Sequence, residues 1–335
     1  MADIEITVDG GTSKRLLTGG KYCDKNILVT ATGGGAEPEP PDDGKTRLYI
    51  SIPAYPPSEM VPVIDEIPLY FRQTIDRGVT IDWGDNTEQE TVQGTSSVNT
   101  SHSYQKSGEY IITLSPSNGC ELQLGANNRP LFGSDDAVAN TLLRVFVGKG
   151  LTSLYTACFN NCRALYQVYI PDSVTSIPDR SFYYCQGLSK LIVKGDLVKI
   201  GISALYECSA LVEVPVPSQK DGLNRESYAF CRSIKTIRFP NGIETIPSRI
   251  AVSSYSITKL TIPDSVTSIG DWAFAGISSF KELRVLPTTP PTVEAHTFNQ
   301  LPSGCVIYVP VGSLESYKTA TNWSVYADQM QEEPA

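Results

Sequence analysis

Apolar residues return along this chain at a fixed interval. The segments Val168-Tyr-Ile-Pro-Asp-Ser-Val-Thr-Ser-Ile177 and Leu260-Thr-Ile-Pro-Asp-Ser-Val-Thr-Ser-Ile269 share eight consecutive residues at an offset of 92, four times 23. Leu122, Val145, Val168, Leu191, Val214, Ile237, Leu260, Leu283 and Val306 all fall on the same 23-residue grid. A period of about 20 to 50 residues marks a solenoid, and it outranks any local reading of secondary structure.

The pattern inside one period explains the repeat. Two positions after each anchor comes a second apolar residue, as in Val147, Ile170, Val193, Val216, Phe239, Ile262 and Val285. Apolar, variable, apolar is the mark of a strand with one buried face. An apolar pair follows, as in Val174 with Ile177 and Val266 with Ile269, and then a bulky plug: Phe159, Phe182, Leu205, Tyr228 and Phe274. Cys162, Cys185, Cys208 and Cys231 lie three residues after their plugs. One coil cannot bury so many apolar side chains alone, so the coils must stack. Two periods depart from the pattern. One has Lys220 at an apolar position, and the next has Ala251 and Ser254 where the plug and cysteine belong. Irregular turns are expected there.

The frame Leu260 to Phe274, Leu-x-Ile-Pro-Asp-Ser-Val-Thr-Ser-Ile-Gly-x-x-Ala-Phe, resembles the BspA-type leucine-rich repeat of bacterial and phage surface proteins. The resemblance covers somewhat more than half the chain and implies a mostly β leucine-rich-repeat solenoid.

Upstream the pattern changes. Ile4 to Val8 and Ile27 to Ala31 alternate like two short strands around a Gly10-Gly11 turn. Gly33-Gly-Gly-Ala-Glu-Pro-Glu-Pro-Pro-Asp-Asp-Gly44 is a linker, flexible at its glycines and extended at its prolines. Leu48 to Ile52, Val79 to Trp83 and Tyr110 to Leu114 alternate as strands of a β-sandwich. Val79-Thr-Ile-Asp-Trp-Gly-Asp-Asn86, with His102-Ser-Tyr104 and Gly108-Glu-Tyr110, resembles the PKD-type immunoglobulin-like domain, with Asn86 where that family usually has Gly. Asp82 and Asp85 lack the spacing of a calcium loop and read as turn formers. Leu17 to Gly33 resembles N-terminal segments of tail and virion-surface proteins of phages, which implies an attachment or oligomerisation role. The resulting division is an attachment segment at 1–35, a linker at 36–46, a sandwich at 47–117, the solenoid at 118–310 and a helical cap and tail at 311–335. In the cap, Leu314, Tyr317, Ala320 and Ala327 can share one helical face.

Composition narrows the function. The net charge of −9 argues against nucleic acid and anionic lipid as partners. Apolar runs are too short for membrane insertion. The start, Met-Ala-Asp-Ile-Glu-Ile-Thr, has no basic region and no apolar core of a signal peptide. Four of the eight cysteines form a column whose rungs are about 4.8 Å apart, a distance that a disulfide tolerates. Inward-facing parallel side chains instead favour buried thiols used as apolar filler. His102 and His296 have no metal-ligand cluster at matching spacing, so neither metal nor cofactor is expected. Phosphate loops, nucleophile elbows and zinc-protease motifs are missing, which makes an enzyme the weakest reading.

The outward strand positions are the candidate ligand-binding residues: Gln167, Tyr169, Lys190, Thr236, Arg238, Lys259 and Arg284. A pure spacer would tolerate uniform Thr and Ser, whereas this set is mixed. The expected protein is a non-enzymatic component of a phage virion surface, made in the host cytoplasm. Residues 1–35 would hold other virion proteins, and the repeats would bind a host cell-surface polysaccharide or protein. The virion resemblance also implies a homo-oligomer, with a trimer expected. A structural spacer or decoration subunit, or a bacterial surface adhesin, is the alternative.

Overall fold

The computed structural model describes residues 6–8, 11–13, 41, 43–53, 66–75, 77–118, 120–126 and 129–334. The chain divides into two compact units, Met1–Pro41 and Asp42–Ala335. In the first, β1 (Ile6–Val8) and β2 (Gly11–Ser13) pair antiparallel, with Ile6 opposite Ser13. The strand expected at 27–31 lies outside the described residues.

The second unit is mostly β. It opens with β3 (Thr46–Ile52), β4 (Glu66–Ile75), β5 (Val79–Asp82), β6 (Glu90–Val92), β7 (Ser97–Ser103), β8 (Gly108–Pro116) and β9 (Glu121–Leu124). Two antiparallel sheets result, ordered β3-β8-β5-β6 and β9-β4-β7. Alternation puts Leu48 and Ile50 of one sheet and Ile67, Leu69 and Phe71 of the other into one fully buried core.

Neither sheet stops there. β10 (Leu142–Phe146) pairs with β3, setting Val145 opposite Leu48. β11 (Leu151–Leu154) pairs with β9, setting Leu151 beside Leu122. Each sheet of the first layer therefore runs on into one strand column of the coils and covers the apolar end of the stack. Leu122 is thus not the first grid anchor. Its strand belongs to the second column, because β3 already occupies the place beside Val145.

β12 (Gln167–Ile170) and β14 (Lys190–Val193) extend the first column in parallel, with Val145, Val168 and Leu191 in register. β13 (Ser176–Ile177) and β15 (Lys199–Ile200) pair in the second column. The second column resumes at β16 (Thr245–Ile246) and β18 (Ser268–Ile269), and the first at β17 (Lys259–Ile262) and β19 (Glu282–Val285). The last coil is one residue longer. β20 (Thr292–Val293) sets Val293 beside Ile269, and β21 (Val306–Val309) sets Ile307 beside Leu283. Val306 is therefore not the final anchor. The extra residue falls in the proline-rich stretch 286–291.

The first column breaks between β14 and β17. Pro215 and Pro217 lack the N–H that a central strand must donate, so 213–217 forms no strand and leaves 236–239 without a partner. Val216 is 36% exposed, whereas Ile170 and Ile262 at the equivalent positions are fully buried. The irregularity therefore lies in the strands, not in the turns where it was expected. Lys220 swings out to Glu244 (2.6 Å), while Ala251 and Ser254 sit fully buried in a regular turn.

A third ladder crosses that break. In each turn segment from Ala157 to Ser253 three alternate N–H groups donate to the next coil. Phe182 donates to Ala204 (2.8 Å), Leu205 to Ser227 (3.0 Å), Tyr228 to Ile250 (2.9 Å) and Ala251 to Ala273 (3.0 Å), each flanked by two similar bonds. The intervening N–H groups close turns within the coil, as Cys208 does onto Leu205 (3.1 Å). This alternation requires positive φ on both sides of each plug, as at Arg180 (54°) and Tyr184 (60°). The plugs stack between these rails. Phe159 lies on Phe182 at 5.2 Å and Phe274 on Phe298 at 5.7 Å, both nearly parallel.

The cysteine column adds to this ladder. The thiols of Cys185, Cys208 and Cys231 donate to the plug carbonyls of the preceding coil, Phe159, Phe182 and Leu205, at 3.0, 3.2 and 3.0 Å. Ser254 makes the same bond to Tyr228 at 3.1 Å. These thiols are donors as well as filler, which explains why serine can replace one.

The far end is closed by β22 (Met330–Glu332) on β21, by the short helix Leu314–Thr319, and by a 3-10 helix at Ser324–Gln329. The single helical face expected there is split in two. Trp323 and Tyr317 are the fully buried seals, donating to the carbonyls of Pro291 (2.8 Å) and Pro287 (2.7 Å). Among the described residues no helix is long and apolar enough to cross a membrane.

Two outcomes follow. In native-state hydrogen exchange, the amides of 213, 214, 216 and 236–239 should exchange within the first minutes. Those of Ser203, Leu205, Glu207, Glu226, Tyr228 and Phe230 should stay protected. Equal protection of both sets would mean that the column is not broken. The second outcome concerns pH. Burial pushes up the thiols of Cys158, Cys162, Cys185, Cys208, Cys231 and Cys305, Cys231 to about 12 and Cys305 to about 11. Unfolded thiols titrate near about 8.5, so above that pH the unfolded chain loses protons that the folded chain keeps. Stability should then fall by up to about 1.4 kcal/mol per pH unit for each thiol. The urea midpoint should be level below about pH 8 and drop steeply by about pH 10, less so in Cys208→Ser. A level midpoint across that range would contradict the burial account.

Candidate binding surface

Parallel register brings the outward strand positions into two rows. Arg144, Gln167 and Lys190 align in one, and Phe146, Tyr169 and Ile192 in the other. Beyond the break, Lys259 aligns with Glu282, and Thr261 with Arg284 and Tyr308. The candidate residues therefore form two clusters and not one face.

The first cluster sits where the coils meet β3. The Arg144 guanidinium lies over the rings of Tyr49 (5.0 Å), Phe146 (4.8 Å) and Tyr166 (5.9 Å). Tyr49 meets Phe146 edge to face at 5.3 Å, and Phe146 meets Tyr169 at 6.4 Å. Lys194 sits 5.8 Å from the Tyr169 ring. Cation–π contacts of this kind fix a long, flexible cation in place. Tyr169 is half-buried and Lys190 exposed, as an accessible strand face requires. Gln167 is different. It is only 3% exposed, flanked in register by the long side chains of Arg144 and Lys190, so it is not an exposed contact residue. Arg144 and Phe146 occupy the same register positions one period before Gln167 and Tyr169. Extending the grid back one coil would have found them. Tyr49 carried no such signal, because it arrives from outside the repeat.

The second cluster neutralises itself. Glu282 accepts from Arg284 (2.6 Å) and Lys259 (2.9 Å), and Arg284 also pairs with Glu333. Hydrogen bonds from Arg284, then Lys259, hold the Glu282 carboxyl below its ordinary range. Arg284 lies 4.8 Å from the Tyr308 ring. Its charge is thus shared among neighbours. Thr236 and Arg238 are exposed, in the segment without strand structure between the clusters.

The histidines are tied elsewhere. His102 Nε2 lies 2.7 Å from Asp85 Oδ2, stacks on Trp83 at 5.0 Å, and meets Tyr104, whose hydroxyl donates to the Trp83 carbonyl (2.8 Å). Burial tends to raise the Asp85 pKa, but hydrogen bonds from Thr87 and His102 outweigh it and the net shift is downward. The Asp82 and Asp85 carboxylates accept from the backbone N–H groups of Gly84 (2.9 Å) and Thr87 (3.1 Å), a turn-forming geometry. Gly84 is required here: its φ is 80°, and a Cβ would stand 2.5 Å from the Ile111 carbonyl oxygen. Asn86, also at positive φ (66°), completes the turn. The Asp85–His102 pair escaped the sequence, since 17 residues separate its members. His296 stacks on Trp272 and lies 3.4 Å from Asp271. Among the described residues no three His, Cys, Asp or Glu side chains converge on a point where a metal ion could sit. What the first cluster offers chemically is ring edges, the one Arg144 guanidinium and the exposed ammonium groups of Lys190 and Lys194.

A family model described as a BspA type Leucine rich repeat region matches in six copies, over residues 152–281 and 244–319. No curated protein matches the chain. Among solved structures, a leucine-rich repeat protein from Bacteroides ovatus matches at 18% identity and a TM-score of 0.38, covering 51% of this chain and 56% of that one. A leucine rich cell surface protein from Faecalibacterium prausnitzii matches at 22% identity and a TM-score of 0.43, covering 57% and 50%. The leucine rich repeat protein of T. pallidum matches at 18% identity and a TM-score of 0.28, covering 64% and 90%. The chain thus spans about half the length of the first two.

Proposed function

The chain belongs to the BspA-type leucine-rich repeat family, and from that premise we propose that it is a non-enzymatic, adhesin-like component of a phage particle surface. The observation that carries the reading is the Arg144 cluster. Where β3, β10 and β12 pair, the sheet holds the Arg144 guanidinium among half-buried Tyr49, buried Phe146 and half-buried Tyr166, with exposed Lys190 and Lys194 beside it. Binding surfaces draw on such pre-organised aromatic and arginine groups. Its occupant in this reading is a host cell-surface polysaccharide or protein, with Tyr169 and Lys190 as contacts.

The finer parts of the proposal rest on sequence likeness. The two-sheet layer from Thr46 to Leu124 is a PKD-type, immunoglobulin-like domain, supported by the Trp83-Gly84-Asp85 turn tied to His102 and Tyr104. Residues 1–35 attach the protein to other virion proteins, as a homo-oligomer for which a trimer is the first expectation.

The test compares the full chain with a version starting at Asp42, in binding to bacterial cells and to phage particles. The shortened form should keep cell binding and lose particle binding. Tyr169→Ala with Lys190→Ala should weaken cell binding by about tenfold or more. If neither form binds cells while the shortened form still joins particles, the spacer reading replaces this one.

A further inference from the structure

A second cluster lies in the turn segments. Just after the plug, one column of the stack reads Asn161, Tyr184, Glu207, Phe230, Ser253 and Gly276, all at positive φ. The Asn, Ser and Gly in this column show that the fold needs no ring there. A bulky residue at positive φ is a costly choice, of about 1 to 2 kcal/mol. Tyr184 and Phe230 nevertheless occupy it and stay only half-buried, so burial offsets little of that cost. The ladder sets the positive φ of this column whatever residue stands there, so it is the choice of rings at two of its positions that burial leaves unexplained.

These rings join others on adjacent coils. Tyr183 meets Tyr184 at 4.7 Å and stacks on Tyr206 at 4.8 Å, with 22° between the planes. Tyr206 meets Phe230 at 5.0 Å. Arg163 lies over Tyr184 and Arg180 over Tyr183, both at 5.9 Å. The coil before carries Asn160 and Asn161 at these positions and the coil after carries Val252 and Ser253, so the patch is confined to three coils. No lysine occurs in the turn segments 157–163, 180–186, 203–209 and 226–232. Tyrosine and arginine without lysine is the composition of protein-binding hot spots.

We propose that this patch docks a protein partner that presents carboxylates beside aliphatic side chains. Two observations select that occupant. First, the Tyr183 ring is stacked on Tyr206 and lies under Arg180, so it is not a free platform for a flat sugar. Ring edges and hydroxyls, which suit a protein surface, are what remain. Second, Arg163, Arg225, Arg232 and Arg249 around the rings each lie within 4.0 Å of a carboxylate of Asp136, Glu207 or Glu226, whereas the Arg180 guanidinium lies over the Tyr183 ring and is in no ion pair among the described residues. A partner carboxylate is therefore drawn to Arg180, beside the ring edges, in a patch whose other arginines are already paired. Since this surface is separate from the strand face, the proposal does not rest on the reading above.

The test uses the full chain and fluorescent synthetic peptides of Asp, Glu, Leu and Pro, with Lys-for-acid counterparts, and alginate as a soluble anionic polysaccharide. The acidic peptides should bind, and the Lys peptides and alginate should not. Tyr184→Asn and Phe230→Ser install residues that neighbouring coils already carry. Each should weaken peptide binding by about tenfold or more, with the thermal midpoint unchanged within about 2 °C. Arg180→Gln should do the same, while Val325→Ala, on the exposed 3-10 helix at the far end, should leave peptide binding unchanged. Equal binding of both peptide signs, or alginate binding as tight as peptide, would overturn the choice of partner. A fall in thermal midpoint that matches the loss of binding would make the rings structural. A dimer abolished by the same substitutions would mean that a second copy is the occupant, which also overturns the proposal.

Discussion

The ladder of backbone hydrogen bonds through the turn segments is the constraint on which the rest depends. Strand pairing alone does not hold the coils together, because the first column is interrupted at Pro215 and Pro217. At that place the bonds from Ser203, Leu205 and Glu207, and then from Glu226, Tyr228 and Phe230, continue from coil to coil. The price is backbone strain, two residues at positive φ in each turn segment from Ala157 to Gly276. It is offset by the fully buried plugs between them and by the thiol and hydroxyl donors that reach the preceding coil. Tyr228 shows how closely the parts interlock. As a plug it fills the core, and its hydroxyl donates to the carbonyl of Pro215 (2.6 Å), holding the segment that has no strand partners.

Much of this was legible in the sequence, because the coils are stacked copies and the 23-residue period states their contacts directly. The plug column and the paired apolar positions were found in place, and all are buried except in the coils around the break. The misses have physical causes. Leu122 and Val306 fit the period by number but not by register: one strand was captured by the second sheet, and the other follows a one-residue insertion. Pro215 and Pro217 mark the broken strands by their missing donors, which a pattern of apolar positions does not register. Thiols were read as filler because a cysteine's hydrogen bond leaves no trace in a hydrophobic pattern. Gln167 was read as exposed from strand alternation alone, which says which side a residue faces but not how tall its neighbours are.

The fold and the two surfaces are linked through the first layer. Because β3 and β9 pair directly with β10 and β11, the two-sheet layer is the cap of the stack. That continuity places Tyr49 beside Arg144 and Phe146, so the strand-face cluster exists only when layer and coils are joined. The turn-face patch instead depends on the ladder, which sets the backbone angle that turns Tyr184 and Phe230 outward.

The central claim is that the turn ladder and the shared core make the rod one cooperative body across the interrupted sheet. Trp83 lies buried before the break, and Trp323 seals the stack after it. Urea unfolding of two variants, each retaining one of these tryptophans and with Trp272→Phe in both, tests the claim most directly. The account predicts that within each variant the remaining tryptophan and far-UV circular dichroism report one transition with the same midpoint and slope. Separate midpoints, with one end unfolding while the other stays native, would contradict it.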